Sequence, residues 1–381
     1  MIPRCHKCLD RIDVENQSFQ MRTSDSFRDR HCVRKLIHPP PHVSFIGMLM
    51  NKAARVARSH KRSSLTKRSC NRSLSVRSKA ASSSSIEFAK YHGLGNDFVL
   101  LDNRHSHDPL IAPADAITLC DRSFGIGADG VILATPPFGA SAHDDSYGMR
   151  IFNADGSEAE MCGNGIRCLA RFINDPDQSQ PSVSTLAGQM KPHVLSDGRV
   201  TVDMGSPVLN PPDIPCTLPG SPAVRAQLTD EQNSSNSWLC TAVGMGNPHG
   251  VIFSDSTGAL ISDVDSLALE TIGPPLENHS AFPSRANIEF VQLLPDGSLK
   301  MRVWERGAGL TLACGTGACA VAIAAMIEGH AERHCFVHLP GGPLEIQWSS
   351  EIDRMLMTGP AQAVFTGTLS EDLLNSHNSA T

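Results

Sequence analysis

Long apolar runs, aromatic residues and, over one segment, acidic residues are scarce in this chain of 381 residues. The longest apolar run, Ala318 to Ile327, is much shorter than the roughly 20 residues that a membrane-spanning helix needs, which excludes a membrane-spanning protein. Aromatic residues make up 5% of the chain, so the core is predicted to be mainly aliphatic. Asp and Glu are absent from Met48 to Ile86, where Lys and Arg alternate with Ser and Ala.

The net charge of −6 combines two oppositely charged regions. Residues 1–85 hold 18 Lys and Arg against 5 Asp and Glu, a net charge of +13. Residues 86–381 hold 15 Lys and Arg against 34 Asp and Glu, a net charge of −19. Because this acidic part would repel phosphate, nucleic acid is not an expected partner.

The basic region 1–85 has the Arg-rich, Ser-rich and acid-poor composition of an organelle transit peptide. A disordered arm that binds nucleic acid and a plain flexible tail are the alternatives. All of its acidic residues precede Met48, so we hypothesise that translation starts at Met48 or Met50 and that residues 1–47 are a mis-annotated upstream extension. Peptides from residues 1–47 in mass spectra of the precursor would refute that hypothesis.

The remainder of the chain contains an internal duplication. Several short motifs recur in the same order at offsets of 151 to 153 residues: Gly93–Asn96 as Gly244–Asn247, Met149–Phe152 as Met301–Trp304, Cys162–Gly165 as Cys314–Gly317, and Met204–Pro207 as Met357–Pro360. Chance does not readily produce such a series. The duplication predicts a first half at 86–208, a connecting segment at 209–237, a second half at 238–366 whose last strand can pack back on the first half, and a tail at 367–381.

Each half is predicted to contain short strands between Gly, Pro and Asp turns, with one clear helix directly after its Cys-Gly motif. We predict strands at 98–101, 130–133, 200–203 and 288–292, and helices at 166–174 and 318–328, the latter ended by Gly329. The expected class is α+β, with two pseudo-symmetric domains that each wrap a mostly antiparallel sheet around a central helix. The active site is expected in the cleft between them. The regular βαβ alternation of a Rossmann domain is absent.

Cys162 and Cys314 each precede Gly-X-Gly and a predicted helix start. The free N–H groups of such a terminus bind anions and lower the pKa of a thiol placed there. A pseudo-twofold relation between the halves would place the two thiols on opposite sides of one cleft. One thiolate could then remove a proton from a carbon while the opposite thiol delivers one to the other face, which inverts the centre without a metal.

The chain resembles the diaminopimelate epimerases, which invert one α-carbon of LL-2,6-diaminopimelate to give the meso isomer for lysine synthesis. Five blocks across residues 88–366 carry the resemblance: Tyr91–Phe98, Phe152–Glu158, Met161–Cys168, Gly246–His249 and Trp304–Cys319. The resemblance implies an isomerase that needs no cofactor or metal, lies in the chloroplast stroma and acts on a small molecule without nucleic acid or membrane. A homodimer is compatible with it.

By this resemblance, Cys162 and Cys314 are the acid/base pair, and His249 and Glu305 tune the two thiols. Substrate contacts are implied for Asn96, Asn153, Gly163, Asn164, Asn247, Asn287, Glu305, Arg306, Gly315 and Thr316. Glu305 falls opposite Asn153 in the repeat, so the halves differ in charge beside equivalent cysteines. We infer that this difference helps to set which sulfur is the thiolate at rest.

Two departures from the bacterial pattern concern substrate contacts: Gly130 follows Asp129 where a Gln is common, and Leu310 stands where Glu is common. The nearest competing function is that of a related two-cysteine racemase of proline or hydroxyproline. A redox or metal-binding protein and a non-catalytic protein of the same fold are the remaining candidates. Neither cysteine motif is C-x-x-C, which disfavours redox chemistry.

Overall fold

The computed structural model describes residues 85–139, 146–173, 181–370 and 373. The predicted transit peptide, except for its last residue, lies outside the described residues, as do both proposed start codons and most of the tail. The described residues all belong to one compact unit. No helix in the described ranges is long and apolar enough to cross a membrane.

The described residues form two mixed sheets and a small number of helices. The strands are β1 (Glu87–Gly93), β2 (Asn96–Asp102), β3 (Gly130–Thr135), β4 (Ser146–Asn153), β5 (Glu158–Ala159), β6 (Ser182–Thr185), β7 (Gly188–Met190), β8 (His193–Val194), β9 (Val200–Asp203), β10 (Ala226–Thr229), β11 (Ser237–Gly244), β12 (Pro248–Asp255), β13 (Asn287–Leu293), β14 (Leu299–Glu305), β15 (Gly309–Leu310), β16 (His334–Leu339), β17 (Gly342–Ser349), β18 (Arg354–Gly359) and β19 (Gln362–Thr368). The helices are α1 (Pro113–Cys120), α2 (Gly163–Phe172), α3 (Leu269–Glu277) and α4 (Gly315–Ile327), with 3₁₀ turns at Pro211–Asp213 and Val264–Ser266.

The first sheet has the order β19-β1-β2-β3-β4-β6-β7, with β5 beside β4. Its pairs are antiparallel except β2 with β3 and β4 with β6. All six residues of β3 are buried, because Val131 and Leu133 share one apolar cluster with Leu119 of α1 while Ile132 shares another with Leu169 of α2. Cover on both faces explains why this strand is continuously apolar rather than alternating.

The second sheet has the order β10-β11-β12-β13-β14-β16-β17-β18-β9-β8, with β15 beside β14. It encloses α4, which packs against β11 to β14 and β16 to β18. Helix α4 is apolar on every side, as expected for a helix surrounded by protein. It ends at Ile327 with Glu328 as its C-cap, and Gly329 follows with φ of +77°, the left-handed conformation that glycine adopts without steric cost.

The two sheets are joined by strands that cross between the halves of the chain. β9 from the first half pairs antiparallel with β18, so that Val202 lies opposite Met357 and the Thr201 and Thr358 hydroxyls are 2.7 Å apart. β19, at the end of the second half, pairs antiparallel with β1. The N-termini of α2 and α4 lie above the β9–β18 pair.

The α+β prediction is confirmed, and each predicted strand lies within an observed one. The predicted helices are correct in place but begin three residues too late, because Gly163 and Gly315 are already helical. Helix α3 was missed because its sequence contains Gly273 and two prolines, all unfavourable in a helix interior. Gly273 lies against the Trp304 ring, where a Cβ would overlap it, so tertiary packing selects glycine there.

Candidate active site

Cys162 and Cys314 are the N-cap residues of α2 and α4, both with extended backbones (φ of −139° and −118°). The first N–H groups of a helix have no intrahelical partners, and the helix dipole adds positive charge there. In α4 the Gly317 N–H donates to Cys314 Sγ at 3.3 Å, and Thr316 Oγ1 lies 3.6 Å from the same sulfur. Each thiol therefore lies at a helix end whose N–H groups and dipole favour negative charge.

The two helix starts face each other. A Cβ placed on Gly315 would lie 3.9 Å from the Gly163 Cα, and the Met357 side chain lies against both glycines. Asn164 Nδ2 spans the gap and donates to the carbonyl of Ala313, the residue before Cys314, at 3.2 Å. The structure thus brings together the two cysteine motifs that are 152 residues apart in the chain.

Polar groups of the first half hold the side chain of Asn96 beside Cys162. Asn96 Oδ1 lies 3.8 Å from Cys162 Sγ and accepts a hydrogen bond from Asn164 Nδ2 at 3.1 Å. Asn96 Nδ2 donates to Asp129 Oδ2 at 2.7 Å, and Arg122 pairs with the other Asp129 oxygen at 2.7 Å. Both ends of the Asn96 amide are thereby engaged, and its oxygen faces the thiol.

Opposing influences act on the Cys162 thiol. Burial raises the pKa of Cys162, because the thiolate is poorly solvated. The main-chain N–H groups of Gly165 and Asn164 and the positive charge of Arg167 act to lower that pKa, whereas Glu305 acts to raise it. Among the charged side chains, the Arg167 cation therefore has the largest effect on the pKa of Cys162.

Cys314 is surrounded by carboxylates instead. Its pKa is raised well above the ordinary value by burial and then by the charges of Glu305 and Glu289. Burial also raises the pKa of Glu305, whose carboxylate accepts a hydrogen bond from the Thr311 hydroxyl. The second thiol is consequently harder to ionise than an ordinary cysteine.

His249 is fully buried beside this carboxylate group. Its Nδ1 lies 2.6 Å from Glu289 Oε1 and its Nε2 lies 2.9 Å from Asn247 Oδ1. Asn247 and His249, two of the predicted site residues, are thus directly linked. Among the described residues Glu289 Oε2 has no hydrogen-bond partner, although Glu289 is fully buried.

The remaining predicted residues occupy the ends of β4, β13 and β14. Asn287 Oδ1 accepts a hydrogen bond from the Arg306 main-chain N–H at 2.8 Å, and Arg306 Nη1 donates to the Ser284 carbonyl at 3.1 Å. Asn153 is exposed and donates to Ser157 Oγ in its own turn at 2.9 Å. The structure therefore connects Asn287 with Arg306, whereas the Asn153 side chain bonds within its own turn.

Sequence reasoning missed Glu289 and Arg167. Both are charged residues inside short apolar segments, Ile288–Phe290 and Ile166–Cys168, and both are completely buried. Because a buried charge is costly unless a function or partner compensates for it, that pattern was a usable signal. Within the described part of the chain, no group of three or more His, Cys, Asp and Glu side chains could hold a metal ion.

A family profile described as diaminopimelate epimerase matches residues 88–210 and 241–364. A rice (Oryza sativa subsp. japonica) protein named diaminopimelate epimerase, chloroplastic, is 52% identical over 287 residues, which cover 74% of this chain and 80% of the relative. A Microcystis aeruginosa diaminopimelate epimerase is 54% identical over 288 residues, which cover 74% of this chain and 98% of the relative. The residues matched by the family profile include both cysteine motifs.

A solved structure from Agrobacterium radiobacter, of a probable proline racemase with bound carbonate, is similar in fold. The TM-score is 0.54 at 14% sequence identity, over 75% of this chain and 93% of that one. At this identity the likeness concerns the fold alone. It places the pair of sheets around α2 and α4 among known architectures.

Proposed function

The chain belongs to the diaminopimelate epimerase family, and we propose that it inverts one α-carbon of LL-2,6-diaminopimelate to give the meso isomer. It is an isomerase of lysine biosynthesis. The observation that carries the proposal is the pair of cysteine N-caps on two helix starts that face each other. Two thiols on opposite sides of one carbon are what an inversion by proton transfer requires.

The proposed reaction uses Cys162 and Cys314 as its two bases. One sulfur, as the thiolate, removes the α-hydrogen of the substrate as a proton and becomes a thiol. The opposite sulfur, initially a thiol, delivers its proton to the other face of the carbon and becomes a thiolate. Protons and charge balance, and no redox change occurs. Positioned proton transfer of this kind accounts for about 10²- to 10⁴-fold of the rate per group.

Negative charge builds on the α-carboxylate while the proton is absent. We propose that the main-chain N–H groups of Gly163, Asn164, Gly315 and Thr316 stabilise this charge, since they open the two facing helices. Because these dipoles are already oriented in the folded protein, they do not need to reorganise during the reaction. The requirement for close approach explains glycine at the first helical position of both motifs.

The distal aminocarboxylate of the substrate needs a cation and several acceptors. Arg306 can hold the carboxylate bidentately, and Glu305 can accept from the ammonium. We assign the remaining contacts to the amides of Asn96, Asn153, Asn247 and Asn287. His249 and Glu305 are proposed to tune the thiols. Glu305 does so directly at Cys314, whereas His249 reaches the site through Glu289 and Asn247.

A proline or hydroxyproline racemase is the competing enzyme, but family membership and the high identity to named epimerases favour diaminopimelate. The rice relative is named chloroplastic, which agrees with location in the chloroplast stroma and with residues 1–85 as a transit peptide. We propose that the halves 86–208 and 238–366 are the two domains, that 209–237 connects them and that 367–381 is a tail. The crossing of β9 and β19 between the sheets ties the two domains together.

A homodimer through the free edge of the first sheet is also proposed. β19 is the outermost strand there, and its Val364 and Phe365 are 55% and 48% exposed. An exposed edge strand with apolar side chains is a ready pairing surface for a second copy. Sedimentation of the full chain with and without Phe365→Lys tests this, and an unchanged monomeric mass in both would contradict it.

The test of the function is proton exchange at the α-carbon. The full chain is incubated with LL-diaminopimelate in deuterium oxide, without pyridoxal phosphate or added metal, and deuterium incorporation is followed together with the meso isomer. Incorporation with formation of the meso isomer is expected. Absence of exchange, or exchange that survives loss of both cysteines, would contradict the mechanism. L-proline in place of diaminopimelate distinguishes the racemase.

A further inference from the structure

Arg167 is a fully buried cation beside the first cysteine motif. Its guanidinium donates to neutral acceptors: the Gly163 carbonyl at 3.0 Å, Asn164 Oδ1 at 2.8 Å and the Pro360 carbonyl at 3.2 Å, with Met357 Sδ at 3.9 Å. No carboxylate among the described residues forms an ion pair with it. A buried cation is normally paired with an anion, so this arrangement requires a physical reason.

The protein backbone is shaped around this guanidinium. A Cβ on Gly93 would lie 3.0 Å from Arg167 Nη2, and a Cβ on Gly359 would lie 3.2 Å from Arg167 Nε. Gly93 ends β1 of the first sheet and Gly359 ends β18 of the second, so the charge lies in a slot between the sheets. The side chain turns back along α2 toward its N-terminus, where Cys162 is the cap.

The repeat shows that this cation is present on one side only. The offset of 152 residues places Cys319 of α4 at the position equivalent to Arg167. The side chain that the neighbouring strand places beside each motif also differs between the halves. A Cβ on Gly165 would lie 3.0 Å from the Ile132 side chain, whereas a Cβ on the equivalent Gly317 would lie 2.9 Å from Glu289 Oε1. The first motif therefore has the Arg167 cation where the second has the Cys319 thiol. It has the Ile132 side chain where the second has the Glu289 carboxylate.

We propose that Arg167 is a positioning residue that makes Cys162, rather than Cys314, the cysteine that loses its proton first in the empty enzyme. The inference rests on the proposed proton-transfer roles of the two cysteines. When Cys162 releases its proton to solvent, its sulfur is the anion that Arg167 otherwise lacks. The enzyme is thereby prepared for the substrate configuration whose α-hydrogen faces Cys162.

Arg167 also fixes the amides beside this thiolate. Its Nη2 donates a hydrogen bond to Asn164 Oδ1, so the Asn164 amide nitrogen must point toward Asn96 Oδ1 and the Ala313 carbonyl. The Asn96 nitrogen is in turn committed to Asp129. One chain of hydrogen bonds therefore runs from the buried cation to the amide beside Cys162, and neither Asn can flip without breaking it.

The charged and titratable groups around the two sulfurs are few. Arg167 on α2 and Glu305 on β14 act on Cys162, and burial opposes the thiolate there. Glu305 and Glu289 act on Cys314, with His249 next to Glu289. Cys168 and Cys319 also face Arg167, but the pKa of each is raised to about 12 by burial, so both remain thiols at neutral pH. Cys162 is the thiol best placed to pair with the cation.

The test is the pH dependence of iodoacetamide alkylation at each cysteine in the full chain without substrate. Fragment spectra of the tryptic peptides assign the label to each cysteine, because Arg167→Gln removes the tryptic site between Cys162 and Cys168 and no such site lies between Cys314 and Cys319. The pH at which each cysteine reaches half of its maximal alkylation rate is compared rather than the rate itself. Access of iodoacetamide to the sulfur changes the rate equally at every pH and leaves this midpoint unchanged. In the unmutated protein Cys162 is expected to have the lower midpoint. Arg167→Gln should raise it by about one to two pH units, and Arg167→Lys should restore most of the difference.

Arg171→Gln is the matched control, since Arg171 lies one turn later on α2 and donates to the Gly198 carbonyl. It should leave both midpoints unchanged. A Cys162 midpoint equal to or above that of Cys314 in the unmutated protein would overturn the proposal, and this comparison needs no variant to fold. Equal shifts in Arg167→Gln and Arg167→Lys would also overturn it, since only a structural role would then remain. Failure of the deuterium exchange assay with normal midpoints would instead contradict the enzymatic function.

Discussion

Cys162 and Cys314 occupy equivalent helix N-caps, but the charges that act on them differ. The Arg167 cation favours ionisation of Cys162 and Glu305 opposes it, whereas Glu305 and Glu289 both oppose ionisation of Cys314. The backbone is therefore duplicated while the electrostatics are not. A duplicated unit supplies two symmetric proton-transfer positions. Differences at a few side chains then decide which position holds the proton.

The largest expected effect comes from breaking the pair itself. Cys162→Ser and Cys314→Ser should each lower epimerisation by about 10²- to 10⁴-fold, because a hydroxyl is a far weaker acid than a thiol and positioned proton transfer is lost. Initial rates of meso-diaminopimelate formation measure the loss. Cys319→Ala on α4 is the matched control, because it removes a thiol from the same helix but not from its N-terminus.

If Cys319→Ala lowers the rate of the folded protein as much as Cys314→Ser, the assignment of the N-cap cysteines is wrong. Folding of each variant is checked by its melting temperature, so that loss of structure is not read as loss of chemistry.

A smaller effect is expected from removing the carboxylates that raise the pKa of Cys314. Glu305→Gln and Glu289→Gln each remove a negative charge that raises the pKa of Cys314. Either variant should therefore lower the pKa of Cys314 by about one unit. The alkylation midpoint of Cys314, measured in a Cys162→Ser background, reports it. Glu345→Gln, on β17, serves as the control. An unchanged midpoint in both site variants would show that burial alone sets the second thiol.

The smallest effect concerns Cys168 and Cys319, the buried thiols inside α2 and α4. Their contributions to the pH dependence of stability should be alike. Burial raises the pKa of Cys168 and of Cys319 to about 12, from an ordinary value of 9.0. Both thiols remain protonated in the folded state between pH 9 and about 12, while the unfolded state loses those protons. Stability is thus fully present below pH 9 and falls as pH rises, by about 1.4 kcal/mol per pH unit for each thiol.

Urea unfolding at pH 9 to 11 measures this slope, and unfolding at pH 8 gives the baseline. Cys168→Ala and Cys319→Ala should each reduce it by the same amount, because both thiols are buried and both face Arg167. A clearly larger reduction in one variant would extend the asymmetry beyond the site.

Much of the fold and part of the site followed from patterns along the chain. The predicted strands and the two helices after the cysteine motifs were visible as apolar segments between turns, and Gly329 ends α4 as expected. Helix α3 was not predictable from propensity, since its glycine is selected by contact with Trp304. The asymmetry between Asn153 and Glu305 was visible in the repeat, but the partners of those residues were not.

The duplication, the α+β class and the two cysteine motifs were predictable from the order of residues, because they depend on local periodicity and on position along the chain. The folded molecule was needed to show that the two helix starts meet above the β9–β18 pair, that His249 pairs with Glu289, and that Arg167 lies in the slot between Gly93 and Gly359. Each of these contacts joins residues far apart in sequence, and each depends on which groups are removed from water together. The strength of a charge in a protein is set by that shared burial, which no local pattern encodes.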